Sequence, residues 1–233
     1  MRLNKYLSET GICSRREADT WIEAGRVTIN DAVAKLGTQV EQGDNVRVDG
    51  RSVGLATRHV YLALNKPVGI TCTTEQHIPG NIIDWVRYPQ RIFPIGRLDK
   101  ESEGLILLTN NGDIVNEILR AENRHEKEYR VTVDRPVTEI FLQGMASGVR
   151  IRGTVTLPCK VDRAGECGFR IILTQGLNRQ IRRMCSFFGY KVIRLQRLRI
   201  VNLRLDGLAP GQWRELRTEE VRGLLPGKPD FNF

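Results

Sequence analysis

At 233 residues the chain exceeds the usual single-domain size, and one or two domains with real cores are expected. An apolar share of 40% beside 27% charged residues reads as a soluble globular protein, and apolar runs such as residues 104–108 are too short to span a bilayer. The opening Met1-Arg2-Leu3-Asn4-Lys5 does not resemble a secretion signal, so a cytoplasmic protein without membrane contact is expected.

Five scattered cysteines show no paired zinc spacing, and three histidines (His59, His77, His125) are too dispersed for a metal cage. No Gly-rich phosphate loop appears, so neither a nucleotide cofactor nor a catalytic metal is expected. The net charge of +9 points to a polyanionic partner. Residues 1–50 carry seven Lys/Arg against eight Asp/Glu, so the excess lies in the rest of the chain. From Cys167 to Leu205 there are nine cations and no acid, which reads as a phosphate-facing surface.

In chain order, Leu3, Tyr6 and Leu7 recur at helical spacing. Ser14-Arg15-Arg16-Glu17 matches a capping box opening a helix that buries Ala18, Trp21 and Ile22 and stops at Gly25. Alternating Val27/Ile29 and Val46/Val48, with turns at Asn30-Asp31 and Gly43-Asp44, give small β-ribbons. The capping box puts Arg15 and Arg16 in a first helical turn, against the helix dipole. They either face an external anion or are two solvated arginines.

Residues 51–59 read as a linker between a small module (1–50) and a larger domain (60–233). In the larger domain strands are expected over 60–64, 104–109, 128–133, 169–174 and 192–205, and helices over 82–86, 113–119 (capped by Asp113), 139–145 and 179–188. Strands without a βαβ period predict an α+β fold with a mixed, mainly antiparallel sheet.

Four segments carry candidate chemistry. Phe93-Pro94-Ile95-Gly96-Arg97-Leu98-Asp99 lies between two apolar strand signals, where Asp99 either acts chemically or organises a turn. In residues 178–188, Ile181, Met184, Cys185 and Phe188 share one helical face, with Arg179, Arg182 and Arg183 opposite. Arg182 sits nearest the boundary, suited to hold a carboxylate, unless the arginines form a stripe that only binds phosphate. Tyr129, in Lys127-Glu128-Tyr129 at a strand start, either stacks on a displaced base or packs into a sheet. Asn65-Lys66-Pro67 ends a strand and is uninformative alone.

Together, in order behind the opening helices, these motifs resemble the RNA pseudouridine synthases of the RsuA branch, within it the group acting on large-subunit ribosomal RNA. The opening unit resembles an S4 RNA-binding domain through Arg2-Leu3-Asn4-Lys5-Tyr6 and Ser14-Arg15-Arg16-Glu17-Ala18. The resemblance implies a catalytic Asp99, a Tyr129 stacked on the target uracil and an Arg182 paired with Asp99. It further implies that Ile181 lines the base pocket, that Lys66 and Pro67 buttress Tyr129, and that Arg97 supports the site. Arg2, Lys5, Arg15, Arg16, Arg179 and Arg183 would bind RNA. The implied substrate is 23S ribosomal RNA, with a tRNA as a second candidate; the implied enzyme is a cofactor-free monomer. A non-catalytic S4-containing assembly protein would explain the charge but not the joint occurrence of carboxylate, tyrosine and arginine. A hydrolase using the aspartate as nucleophile lacks a partner acid or histidine motif.

Overall fold

The computed structural model describes residues 1–54, 58–119 and 123–225. Its packing divides the chain into two units, one of Met1–Val60 with Tyr88–Ile92 and Asn110–Gly112, the other of Tyr61–Arg87, Phe93–Thr109 and Asp113–Phe233. Among the described residues no helix is long and apolar enough to cross a membrane.

The first unit opens with α1 (Leu3–Glu9) and α2 (Arg15–Glu23). The capping box is present: Glu17 N–H donates to Ser14 Oγ at 3.2 Å and Ser14 N–H to the Glu17 carboxylate at 2.6 Å. Gly25, at φ +70°, ends the turn. Next come β1 (Val27–Ile29), β2 (Ala32–Val33), β3 (Val46–Val48) and β4 (Arg51–Ser52), paired as an antiparallel sheet of order β2-β1-β3-β4. Leu3, Leu7, Ala18, Ile22, Val27 and Val46 form its core. Trp21, expected inside, is only half-buried and lies under the Arg26 guanidinium, 4.9 Å from its ring centroid. Of the segment expected to be linker, Arg51 and Ser52 are instead strand, paired with Val48 and Arg47, while 55–57 fall outside the described residues.

The second unit is built on β5 (Tyr61–Lys66), β6 (Phe93–Ile95), β7 (Glu103–Thr109), β8 (Lys127–Val133), β11 (Lys160–Arg163), β12 (Gly168–Leu173), β13 (Val192–Ile200), β14 (Leu203–Arg204) and β15 (Trp213–Glu215). The sheet runs β11-β12-β8-β13-β7-β5-β15, and among the described residues only its β13–β7 contact is parallel. A small hairpin, β9 (Arg150–Ile151) and β10 (Thr154–Val155), stands apart from it. The helices are α3 (Ile82–Val86), α4 (Asp113–Leu119), α5 (Glu139–Ser147), α6 (Gln180–Phe187) and α7 (Thr218–Leu224). Residues 192–205, expected as one strand, turn back at Val201-Asn202 to form the β13–β14 hairpin. Asp113 lies in the first turn of α4 itself.

Two apolar clusters hold this unit. One gathers α5 and α6 around β8 and β12 through Phe141, Met145, Phe169, Ile171 and Met184; the other gathers α4 and α7 around β5 and β7. Along one edge β7 changes neighbours, pairing with β13 at Glu103–Gly104 and with β6 at Leu107–Thr109. The chain from β6 to β7 therefore loops over the point where β13 and β6 part, and Asp99 sits on that loop. Gly104 has φ +104°, and a Cβ there would lie 2.7 Å from the Arg197 amide nitrogen, so only glycine lets the two strands meet this closely.

Candidate active site

The Asp99 loop is pinned at several points. The Leu98 amide donates to Cys72 Sγ at 3.4 Å, the Gly69 amide to the Lys100 carbonyl at 2.8 Å, and the Ser102 amide closes a turn on the Asp99 carbonyl at 3.0 Å. Gly96 enters the loop at φ +77°. A segment without regular structure is thus held by the loop that follows β5 and by its own turn, leaving the Asp99 side chain 30% exposed.

The opposite wall is α6. Ile181, Met184 and Cys185 are buried, and burial pushes the Cys185 thiol up to about 12. Arg179, the N-cap residue at φ +51°, puts Nη1 3.5 Å from Asp99 Oδ2 and donates to Glu101 at 3.1 Å. Its own backbone N–H and then Arg179 hold the Glu101 carboxyl below the usual range. Arg182 approaches from one turn on, with Nε 3.6 Å from Asp99 Oδ2. Its Nη2 donates to Ser102 Oγ at 3.0 Å and to the Glu101 carbonyl at 3.2 Å. Ser102 is fully buried, and Gln180 accepts from the Leu177 amide at 3.0 Å, which steadies the loop ahead of α6.

Asp99, Arg179 and Arg182 line a cleft with Tyr129, Ile181, Leu173, Leu177 and Leu195, and exposed Arg97 joins that lining. Tyr129 is half-buried on β8, and its hydroxyl makes no hydrogen bond among the described residues. The cleft therefore offers one carboxylate between guanidinium groups, one aromatic ring, an apolar wall of Leu98, Leu173, Leu177, Ile181 and Leu195, and polar groups from Ser102, Gln175 and Gln180. That arrangement suits a planar, neutral, polar-edged ligand placed against an anion. Among the described residues no cluster of His, Cys, Asp and Glu could hold a metal ion.

Lys66 and Pro67 do not line this cleft. Fully buried Lys66 gives its ammonium to the Pro67 and Ile70 carbonyls, both at 2.9 Å, and burial pulls its pKa down. The register Lys66–Gly104–Arg197–Tyr129 separates it from the tyrosine by three strand spacings, roughly 14 Å. Any support from Lys66 reaches Tyr129 through the sheet, since no hydrogen bond joins the two among the described residues.

The acid-free stretch is not one phosphate-facing surface. Arg170 and Arg199 pair with Glu128, Arg199 also with Glu126, and Arg194 with Glu103, while Arg197 is buried with Nε donating to the Leu105 carbonyl at 2.6 Å. The acids missing from the stretch arrive from β7 (Glu103), from β8 (Glu128) and from Glu126 just before it. In the first unit Arg2, Arg15 and Arg16 are exposed, and Lys5 pairs with Glu9 at 3.3 Å. Ser102, Glu101, Gln180 and Cys72 also shape the site, and none carries a chemical signature in the sequence until the loop and α6 are brought together.

Comparison with known proteins agrees with both units. Residues 1–46 match the S4 domain and residues 60–187 match "RNA pseudouridylate synthase", which defines the class as an RNA-modifying enzyme with an appended S4 module. The dual-specificity RNA pseudouridine synthase RluF of Salmonella typhi is 59% identical over 226 residues, covering 96% of this chain and 78% of the relative. The RluF of Escherichia coli K12 is 57% identical over 227 residues, covering 97% and 78%. The ribosomal large subunit pseudouridine synthase B of Bacillus subtilis is 33% identical and covers 96% and 95%. A crystal structure of a pseudouridylate synthase superposes with a TM-score of 0.71 at 30% identity, covering 96% of this chain and 99% of that one. The chain belongs to the RNA pseudouridylate synthase family.

Proposed function

We propose that this protein converts uridine to pseudouridine in RNA, with 23S ribosomal RNA as its main substrate and a tRNA as a second, acting in the cytoplasm. The substrate reading is supported by relatives named for dual-specificity and large-subunit synthases. The observation that carries the chemistry is the Asp99 carboxylate facing two guanidinium groups at 3.5 and 3.6 Å in a cleft that also contains Tyr129.

The reaction breaks the C1′–N1 bond and forms a C1′–C5 bond. The C5 hydrogen leaves as a proton and N1 takes one up, so there is no net redox change and no added group. The uracil cannot turn while stacked in a helix, so it is flipped into the cleft. There Tyr129 stacks on its face and Ile181 lines its pocket, leaving Asp99 beside the sugar. Asp99 acts on the sugar either as nucleophile at C1′ or as base. Arg182 holds the carboxylate in place through both steps, and Arg97 supports the rim. The small unit grips RNA through Arg2, Lys5, Arg15 and Arg16, while Arg179 and Arg183 meet phosphates beside the cleft.

Mapping pseudouridines in ribosomal and transfer RNA from a strain lacking the gene tests this reading. Loss of a modified position, restored by the wild-type gene and not by Asp99→Asn, is expected. An unchanged map would favour a non-catalytic RNA-binding protein.

A further inference from the structure

A second groove adjoins the cleft and shares its Arg179 and Arg182 wall. Its other lining includes Arg150 and Arg152 from the β9–β10 hairpin and Arg183 and Phe187 from α6; among the described residues no acid lines it. Resting on the proposed reaction, we infer that this groove is a binding site for the nucleotide next to the target uridine. Arg150, Arg152 and Arg183 take its phosphates, and Phe187 takes its base.

Three features support this. First, the cations are unspent. Arg183 is pinned by neutral groups only, donating from Nε to the Asn178 carbonyl at 2.9 Å and from Nη2 to Asn178 Oδ1 at 3.0 Å. Its direction is set while its charge stays uncompensated, unlike that of Arg170, Arg194 and Arg199. Arg150 and Arg152 are exposed and make no ion pair among the described residues.

Second, Phe187 is 61% exposed, yet it is braced edge-on by Phe188, with ring centroids 5.1 Å apart. Phe188 in turn packs edge-on against buried Phe141 at 5.8 Å. An aromatic face held rigid in water beside arginines is a stacking platform of the kind single-stranded RNA uses.

Third, the hairpin turn presents Arg152 at φ +46° and Gly153 at φ +79°. Both central residues of such a two-residue turn need positive φ, where Asn, Asp and Gly are favoured. An arginine there gives up some local stability to put a cation at the tip. Because the groove and the cleft share two arginines, a strand whose uridine enters the cleft runs its next nucleotide along α6.

The test uses the full chain and an unmodified 23S rRNA transcript carrying 5-[³H]uridine. The double variant Arg150→Ala/Arg152→Ala should bind this transcript about tenfold more weakly, with a salt slope shallower by about two, roughly one per lost phosphate contact. KM should rise by a similar factor, with kcat within about twofold of wild type. Phe187→Ala should lose about tenfold in affinity with an unchanged salt slope, and Phe187→Tyr should restore it. Arg204→Ala, an exposed arginine on β14 outside the groove, is the control and should change neither. Affinity and slope equal to wild type in the double variant, or an equal effect from Arg204→Ala, would overturn the groove. Absence of tritium release by the wild-type protein would instead overturn the proposed reaction, and the affinities would still decide the groove.

Discussion

The Nε of Arg182 lies 3.6 Å from the carboxylate of Asp99, buried and without a hydrogen-bond partner among the described residues, while Nη2 of the same guanidinium is anchored on Ser102. The arginine is thus aimed at the aspartate by a buried serine, with one donor left over in a place where an unmade hydrogen bond is costly. Closing the gap by a few tenths of an ångström when RNA binds would satisfy that donor and fix the carboxylate at the same moment.

Arg182→Lys should therefore lower kcat by about a hundredfold with a smaller change in KM, because one ammonium cannot reach both Ser102 and Asp99. Single-turnover tritium release checks this; a lysine variant with wild-type kcat would show that the forked geometry is dispensable.

Ser102→Ala removes the anchor and not the charge. It should cost about 1–3 kcal/mol of stability for a lost bond to a charged group, and lower kcat severalfold with RNA affinity retained. Urea unfolding and tritium release on the same preparation separate the two effects.

Gly104→Ala tests the β7–β13 crossing. The added Cβ meets the Arg197 backbone and φ +104° is unfavourable for alanine, so a loss of at least about 2 kcal/mol is expected by urea unfolding. Little change would mean that the two strands part easily.

Glu220 accepts two bonds from Arg214, at 2.6 and 2.8 Å, and one from the Arg217 amide, tying β15 to the start of α7. The Arg214 hydrogen bonds are the largest cause that takes its pKa down from 4.5 to about 2. A depressed folded-state value means that this stabilisation is fully present above pH 4.5 and lost as pH falls through about 2. With the pair partly open to solvent, about 1–2 kcal/mol is at stake. Stability curves of wild type and Glu220→Gln should converge between those two pH values; curves that stay parallel would remove the pair's role.

Arg15→Ala/Arg16→Ala should weaken binding to the 23S transcript and make its salt slope shallower by about one per lost contact, with kcat unchanged. An identical slope would remove α2 as a phosphate contact.

Much of the fold and site was legible in the sequence where the signal is local. The Ser14–Glu17 box, the apolar face of α6 and the loop carrying Asp99 each lie within a few residues of chain. What was not legible depends on distant partners. Phe93–Ile95 contains Pro94, which weakens it as a strand candidate, and it is a strand because β7 leaves an edge free there. The arginines from 167 to 205 looked uncompensated because Glu103, Glu126 and Glu128 reach them only once the strands pair. Ser102 reads as a loop serine until Arg182 arrives from eighty residues away. Lys66, expected to buttress Tyr129, donates to its own turn and is separated from the tyrosine by Gly104 and Arg197 in the strand register.

The most direct measurement is tritium release from 5-[³H]uridine-labelled 23S rRNA transcript by Asp99→Asn beside wild type, with RNA affinity measured in parallel. Loss of release by at least about a thousandfold with affinity within a few-fold of wild type is predicted. Release at the wild-type rate by the variant would contradict the role assigned to Asp99.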